Sequence, residues 1–403
     1  MTTKPSTIVT LPQDEYLKWP VFRAEDEQAV LRVMRDGNVS THPVIQELEN
    51  DFRAFTGRRH ALAHCNGTTA LMAAFHSLGL RPGDEVLVPS ATFWASVLPM
   101  IWCGLVPVFC ESEPATLGLD PVDAARRITP RTKAMVIVHL WGLPCKVAEL
   151  TALAKAHGLR IIEDASHAHG ATKDGVPCGR MGDVSVFSLQ GDKLVPAGEG
   201  GVLMTDDDAI YDRALRMGDI TRIIRMPTAD RRFAATSFGI KTRIAPMSAA
   251  LGRSMLARLP ETNSSRNHHH ARLAATLEDL GFECFLPPEG VERVWFEFII
   301  RHRMENIDAG ALVEWLQQAG CRVGVPRYPL LHQQPYFTEG HWRAAGRYPE
   351  SITLPASDDI SLPFTERMNR TLLRLPNFNH PDAGALVDQY AEAFRQAVRV
   401  FGS

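Results

Sequence analysis

From about residue 60 the chain alternates between two textures of apolar and polar positions. One is a set of short, β-branched runs: "DEVLVPS" (84–90), "GLVPVFC" (104–110), "KAMVIVHLWG" (133–142), "LRIIEDAS" (159–166), "DVSVFSL" (183–189) and "GGVLMTDD" (200–207). The other has its apolar residues at helical spacing. In "NGTTALMAAFHSLG", Leu71, Ala74, Phe75 and Leu78 share one stripe, and Gly79 is placed to stop the helix in a left-handed cap. "CKVAELTALAKAHG" repeats the pattern, with Val147, Leu150, Leu153 and Ala154 apolar and Gly158 at the stop. Near-continuous apolar strands alternating with helices predict an α/β fold whose mainly parallel sheet is covered on both faces. Reactive groups in such folds gather at the carboxyl ends of the strands.

The texture changes at 255–275, where "LARLPETNSSRNHHHARLAATLEDLG" predicts a long polar helix leaving the first domain. Beyond it, "VERVWFEFIIRHR" reads as a strand, and "IDAGALVEWLQQAG" and "GALVDQYAEAFRQAVRVF" as helices of a smaller α+β domain. The expected division is an N-terminal arm (1–20), a large domain (21–265) and a small C-terminal domain (266–403). The stretch 217–245 is basic and irregular and reads as a mobile or partner-contacting loop.

Composition narrows the function only by exclusion. A net charge of −3 over 403 residues gives no electrostatic case for nucleic acid or an acidic membrane surface. The seven cysteines form no C-x-x-C pair, which argues against a zinc knuckle or a disulfide framework and for reduced thiols in a cytoplasm. The first residues, "MTTKPSTIVTLPQDEY", lack an apolar core, and the longest apolar runs are broken by Pro and Gly. A cytoplasmic protein acting on small molecules is the expectation.

Candidate chemistry falls at strand ends. "NGTT" (66–69) enters a helix, so Gly67, Thr68 and Thr69 make an anion site in form, or a plain helix cap. "IIEDASHAHG" ends a strand with Glu163, Asp164, His167 and His169. A carboxylate there either holds a ligand's cation or forms a structural ion pair, and no third ligand at a recognisable spacing suggests a metal. "SVFSLQGDK" places Ser188 and Lys193 just past a strand: a hydroxyl for a phosphate and an amine for a carbonyl, or two surface groups. "HHH" (268–270) reads as solvated helix surface, because consecutive helical residues point in different directions. "GEGG" (198–201) is not a dinucleotide fingerprint, since Leu203 stands where the last glycine belongs. Taken in order, a phosphate-type loop, the aromatic segment "TFW" (92–94), an acid, then Ser and Lys match what pyridoxal 5′-phosphate needs.

These motifs resemble the DegT/StrS family of pyridoxal-phosphate sugar aminotransferases, which have the aspartate-aminotransferase type of fold. The resemblance covers about residues 18–380 and rests on "NGTTAL", "PGDEVLVPSATF", "ITPRTKAMVIVHLWG", "IIEDASHAHGA", "GDVSVFSLQGDKLVPAGEGG", "YPLLHQQPYF", "LPASDDISLP" and "LRLPNF". It implies that Lys193 forms the Schiff base with the cofactor and shuttles the proton. By the same resemblance Asp164 pairs with the pyridine nitrogen, His167 lies near the phenolic oxygen and Phe93 stacks on the ring. Gly67, Thr68, Thr69 and Ser188 would hold the phosphate, and retention of the lysine sets the chain apart from the related dehydratases. A homodimer with shared active sites is implied too, in which the segment 217–245 completes the neighbour's site. The family commonly has Asn where this chain has Lys241 in "GIKTR", Tyr where it has Trp141, and His where it has Arg327. The loop "FSLQGDKLVPAGEGG" is similar to that of members acting on keto-cyclitols and of aminohydroxybenzoate synthases, although Pro196 replaces a Thr. The expected reaction moves an amine from glutamate or glutamine to the ketone of a cyclitol or sugar. The alternatives are a nucleotide-sugar aminotransferase and an aminohydroxybenzoate-synthase-like dehydratase.

Overall fold

In a computed structural model, residues 5–304, 307–346, 348–352, 354 and 360–402 are described. Residues 355–359 of the "LPASDDISLP" motif and 1–4 of the N-terminal arm lie outside them.

Among the described residues there are twelve strands: β1 (His60–His64), β2 (Glu85–Pro89), β3 (Val106–Cys110), β4 (Thr132–Val138), β5 (Arg160–Asp164), β6 (Thr172–Lys173), β7 (Val176–Pro177), β8 (Val184–Ser188), β9 (Gly201–Thr205), β10 (Val291–Glu292), β11 (Phe298–Arg301) and β12 (Leu372–Leu375). Seven of them make the central sheet in the order β1-β9-β8-β5-β4-β2-β3. The run from β3 to β8 is parallel throughout. Every residue of β2, β8 and β9 is buried, as expected of strands covered on both faces. β9 runs antiparallel to both its neighbours. The cause is its connection to β8: the loop 189–200 contains no crossover helix, and a parallel return needs one. That short return sets the end of β8 beside the start of β9, with Ser188 opposite Gly201.

The helices Gly67–Ser77 and Val147–His157 end as their patterns predict, with Gly79 (φ 72°) and Gly158 (φ 64°) in the left-handed region. The helix Pro246–Asp279 runs unbroken through position 265 and contains Pro260. Its later part joins a second core with Phe282, Phe298, Trp315, Tyr390 and Phe394, and Val9 of the N-terminal arm packs into that same core. The smaller sheets are β10-β6-β7 and the antiparallel pair β11-β12. Among the described residues no helix is long and apolar enough to cross a membrane.

Three expectations are corrected. "VERVWFEFIIRHR" is not one strand: it leaves β10 after Glu292 and resumes at Phe298. The gap is where the Val294 and Phe296 amides donate to the carbonyls of Gly142 and Trp141, at 3.1 and 3.2 Å, instead of to a strand partner. "HHH" is not solvated surface, for only His268 is exposed. His269 Nε2 meets the Pro381 carbonyl at 2.9 Å. His270 accepts from the Phe378 amide at 3.1 Å while packed against Trp295 and Phe298, and burial holds it neutral. The helix is covered on two sides, so two of three consecutive residues face packing. The stretch 217–245 is not wholly irregular, since it contains single turns at Ile220–Ile223 and Ala229–Phe233, with Phe238 and Ile240 exposed.

Candidate active site

The carboxyl ends of β4, β5 and β8 and the start of the helix Gly67–Ser77 enclose a cavity of about 580 Å³. Asn66 caps that helix, its side chain accepting from the Thr69 amide at 2.8 Å. The cap serves Thr69, and the amides of Gly67 and Thr68 remain first-turn donors without a helical acceptor. Gly67 and Thr68 line the cavity; Thr69 does not, and its hydroxyl donates to the Asn66 carbonyl at 3.0 Å. The cap reading of "NGTT" therefore holds for Asn66 and Thr69, while Gly67 and Thr68 face the cavity.

Two glycines are required by close approach. A Cβ on Gly67 would sit 2.9 Å from the Ser188 Cβ and 3.1 Å from its Oγ. On Gly201 it would meet the Asn66 carbonyl oxygen at 2.6 Å and the Gly67 nitrogen at 2.7 Å. The "GEGG" run thus ends where β9 presses on the "NGTT" backbone. Gly201→Ala is expected to lower stability by about 1–3 kcal/mol, read as a lower urea midpoint. An unchanged midpoint contradicts this packing.

Asp164 ends β5 facing the cavity, with Oδ2 accepting from Ser96 Oγ at 2.7 Å and Oδ1 from the Ser166 amide at 3.1 Å. Ser96 is bonded in turn to Thr92 Oγ1 at 3.0 Å. Glu163, one position earlier, points to the opposite face, as strand alternation requires. Its Oε1 accepts from His139 Nε2 (2.9 Å) and the Gly179 amide (2.5 Å). Its Oε2 accepts from the Met181 and Gly182 amides and Ser185 Oγ (2.7, 3.0 and 2.9 Å). His139, Glu163 and Cys178 offer ligand atoms within 4.8 Å of one another. His139 Nδ1, however, accepts from the Cys145 amide at 3.2 Å, so both its nitrogens and both carboxylate oxygens are already committed. The group is a buried strut between β4, β5 and the turn before β8.

Lys193 is 7% exposed, which removes the surface-charge reading. Its amine lies 4.2 Å from the Phe296 ring centroid. Burial lowers its pKa to about 8, against the opposing pull of Asp164. The loop is held from outside by Trp19, whose Nε1 donates to the Lys193 carbonyl at 3.0 Å.

His167 is buried and neutral: desolvation, then the charges of Lys193 and Arg327, hold it well below the usual histidine range. Its Nδ1 accepts from the Trp141 amide at 3.4 Å, so the proton is on Nε2, facing the Tyr328 hydroxyl at 3.5 Å. Trp141 makes that bond from a left-handed conformation (φ 57°, ψ 14°), which costs about 1 kcal/mol and is held by its carbonyl bond to Phe296. Nearly parallel rings of Phe296, His167 and Tyr328 line the cavity, with His167 and Phe296 centroids 4.1 Å apart, and Trp141 stacks on His167 and Tyr328 outside the lining. Phe93 and Trp94 line the cavity from the side of Ser96, and Ser188 lines it at the end of β8. Lys241 is exposed and does not line the cavity of its own chain. The sequence reading missed Ser96, Trp19 and Phe296; an aromatic just before a strand was the one available signal for Phe296.

A model of the DegT/DnrJ/EryC1/StrS aminotransferase family matches residues 20–373. The chain belongs to this family. It is a pyridoxal-phosphate-dependent aminotransferase with the fold that the sequence implied. Over 224 residues it is 40% identical to the GDP-perosamine synthase of Caulobacter vibrioides, a match covering 55% of this chain and 58% of that one. The crystal structure of DesI with its TDP-sugar product is 30% identical with a TM-score of 0.77, covering 94% of this chain and 92% of that one. The crystal structure of 3-amino-5-hydroxybenzoic acid synthase is 28% identical with a TM-score of 0.82, covering 95% and 98%.

The cavity fits this aminotransferase's cofactor. A glycine whose Cβ would strike Ser188 leaves room only for backbone beside the first-turn amides, a buried amine sits beside an aromatic wall, and a buried carboxylate faces the same space.

Proposed function

We propose that this aminotransferase carries an amino group from glutamate or glutamine to the ketone of a nucleotide-linked deoxy-sugar. The observation that carries the reaction type is the buried Lys193 amine, near-neutral in pKa and sharing one cavity with Asp164. The acceptor class is supported by the likeness to GDP-perosamine synthase and to DesI.

In this reading Gly67, Thr68 and Ser188 hold the cofactor phosphate, and Thr69 supports their loop through Asn66. Asp164 stabilises the protonated ring nitrogen, His167 offers its Nε2 proton to the ring oxygen, and Phe93 stacks on the ring. When bound, pyridoxal phosphate supplies the carbonyl that takes up the amine and the ring that stores the electron pair. Lys193 supplies the neutral amine that anchors it and moves the proton at the substrate carbon. Burial of the amine, which packs against Phe296, excludes water and favours the uncharged form. Lys241, exposed and outside its own cavity, would reach the phosphate of a second copy in a homodimer with shared sites.

A keto-cyclitol acceptor is the second reading, favoured by the "FSLQGDKLVPAGEGG" loop and the likeness to the aminohydroxybenzoate synthase. Incubating the holoenzyme and glutamate or glutamine with nucleotide keto-sugars, keto-cyclitols and free keto-sugars separates the two. An amine on the nucleotide sugar is expected. An amino-cyclitol alone moves the assignment to the second reading, and no amine from any acceptor sinks both.

A further inference from the structure

The reaction proposed above needs one site to take two unlike molecules in turn: an amino acid with a carboxylate beside its reacting carbon, and a ketone without one. Among the described residues lining the cavity, only Lys193 and Arg327 carry a cationic side chain besides the neutral His167. Lys193 must be free to exchange protons, so it cannot serve as a standing counter-ion.

Arg327 is held in an unusual way. Its Nε is paired with Glu297, a carboxylate 4% exposed in its side chain, which has no hydrogen-bond donor on either oxygen beyond this ion pair. Arg327 is the strongest of the cations that offset the burial of Glu297, ahead of Arg374 and Lys193, and among the described residues it alone is paired with the carboxylate. The guanidinium carbon lies 5.5 Å from the Phe296 ring centroid and 5.7 Å from that of Tyr328. These contacts orient the planar fork from one edge. On the other edge Nη1 reaches Asp192 Oδ2 at 3.3 Å, a long contact to a carboxylate that is 58% exposed. An exposed pair of that kind is cheap to break.

We propose that Arg327 binds the carboxylate beside the amino group of the donor, and that Glu297 is the positioning residue that aims its guanidinium. The donor's carboxylate replaces Asp192 on the Nη edge, charge for charge, while Glu297 keeps the Nε edge fixed. A guanidinium suits this task because its parallel donors match the two carboxylate oxygens. When the ketone occupies the site, no carboxylate is offered and Asp192 returns to Arg327. One residue thereby serves the donor half of the cycle and stands aside in the other. This assignment rests on the aminotransferase reading, in that the donor is an amino acid.

The test separates the two half-reactions by following the cofactor's visible absorbance in single turnovers of the holoenzyme. For Arg327→Gln, the donor concentration giving half-maximal rate is expected to rise by about 10–100-fold, with the ketone half-reaction unchanged. Glutarate, a dicarboxylate with no amine to react, gives a readout without turnover: it is expected to raise the melting temperature of the wild type and not of the variant. Arg327→Lys should recover part of the glutarate shift, since it keeps the charge and loses the fork. The double variant Arg327→Gln with Glu297→Gln removes the buried unpaired carboxylate, so it keeps the fold and should show the same donor defect. Glu297→Gln alone should weaken donor use less, in the same direction. A loss confined to the ketone half-reaction, or equal in both, overturns the role of Arg327 while leaving the aminotransferase reading intact. If the wild type runs no donor half-reaction with glutamate or glutamine, the donor reading itself fails and this inference with it.

Discussion

Lys193→Ala is expected to remove the visible absorbance of the lysine-bound cofactor and to cut turnover by about 10⁴-fold or more. In the proposed reading the substitution takes away both the nucleophile and the proton carrier, and among the described residues no other lysine lines the cavity. The loss should not come from misfolding, because the lysine's backbone remains tied to Gln190 and Trp19. A pH dependence follows from the same group. The amine's pKa is lowered to about 8 by burial, and the neutral form is the nucleophile. Uptake of added pyridoxal phosphate by cofactor-free enzyme should therefore accelerate as pH rises through about 8 and level off above it. Acceleration only near 10.5, the ordinary lysine value, would mean a solvated ammonium and contradict the burial.

Asp164→Asn should lower kcat by about 10²–10³-fold with the fold and cofactor content retained. Asparagine has the shape of the aspartate and keeps an acceptor for Ser96 Oγ, which now sits 2.7 Å from Oδ2. What disappears is the charge that, in the proposed reading, would keep the ring nitrogen protonated. Ser96→Ala leaves that charge in place and removes a hydrogen bond, so its effect should be smaller. Near wild-type turnover in Asp164→Asn, measured on enzyme shown to be fully loaded, would remove Asp164 from the role assigned to it.

The parts of the fold that announce themselves in sequence are those governed by local physics. β-branched runs mark β2 to β5, β8 and β9, and Gly79 and Gly158 stop their helices because only glycine takes the left-handed cap without strain. β1 escaped notice because "HALAH" has no β-branched residue; it is a strand through its register with β9, about 140 residues away. Direction in the sheet is likewise non-local, and β9 reverses because its connection is too short to cross over. At the site, Asp164 and Glu163 are equivalent in sequence and opposite in space. Alternation makes one of them face the cavity, but which one depends on the neighbours that pack on each face. The lysine was legible from its company of Ser188, Asp164 and "NGTT". Ser96, Trp19 and Phe296 were not, since each acts through a contact made only when distant segments meet. His269 and His270 show the converse: a polar run reads as surface until the partners that bury it are known.

The most direct test of the account is to trap the cofactor where it is attached. Reducing the holoenzyme with borohydride, digesting it and mapping the pyridoxyl mass by tandem spectrometry should place the label on the peptide containing "LQGDKLVPAGEGG", at Lys193. A label on any other lysine, Lys241 included, or a fully loaded enzyme that yields no labelled peptide, would contradict it.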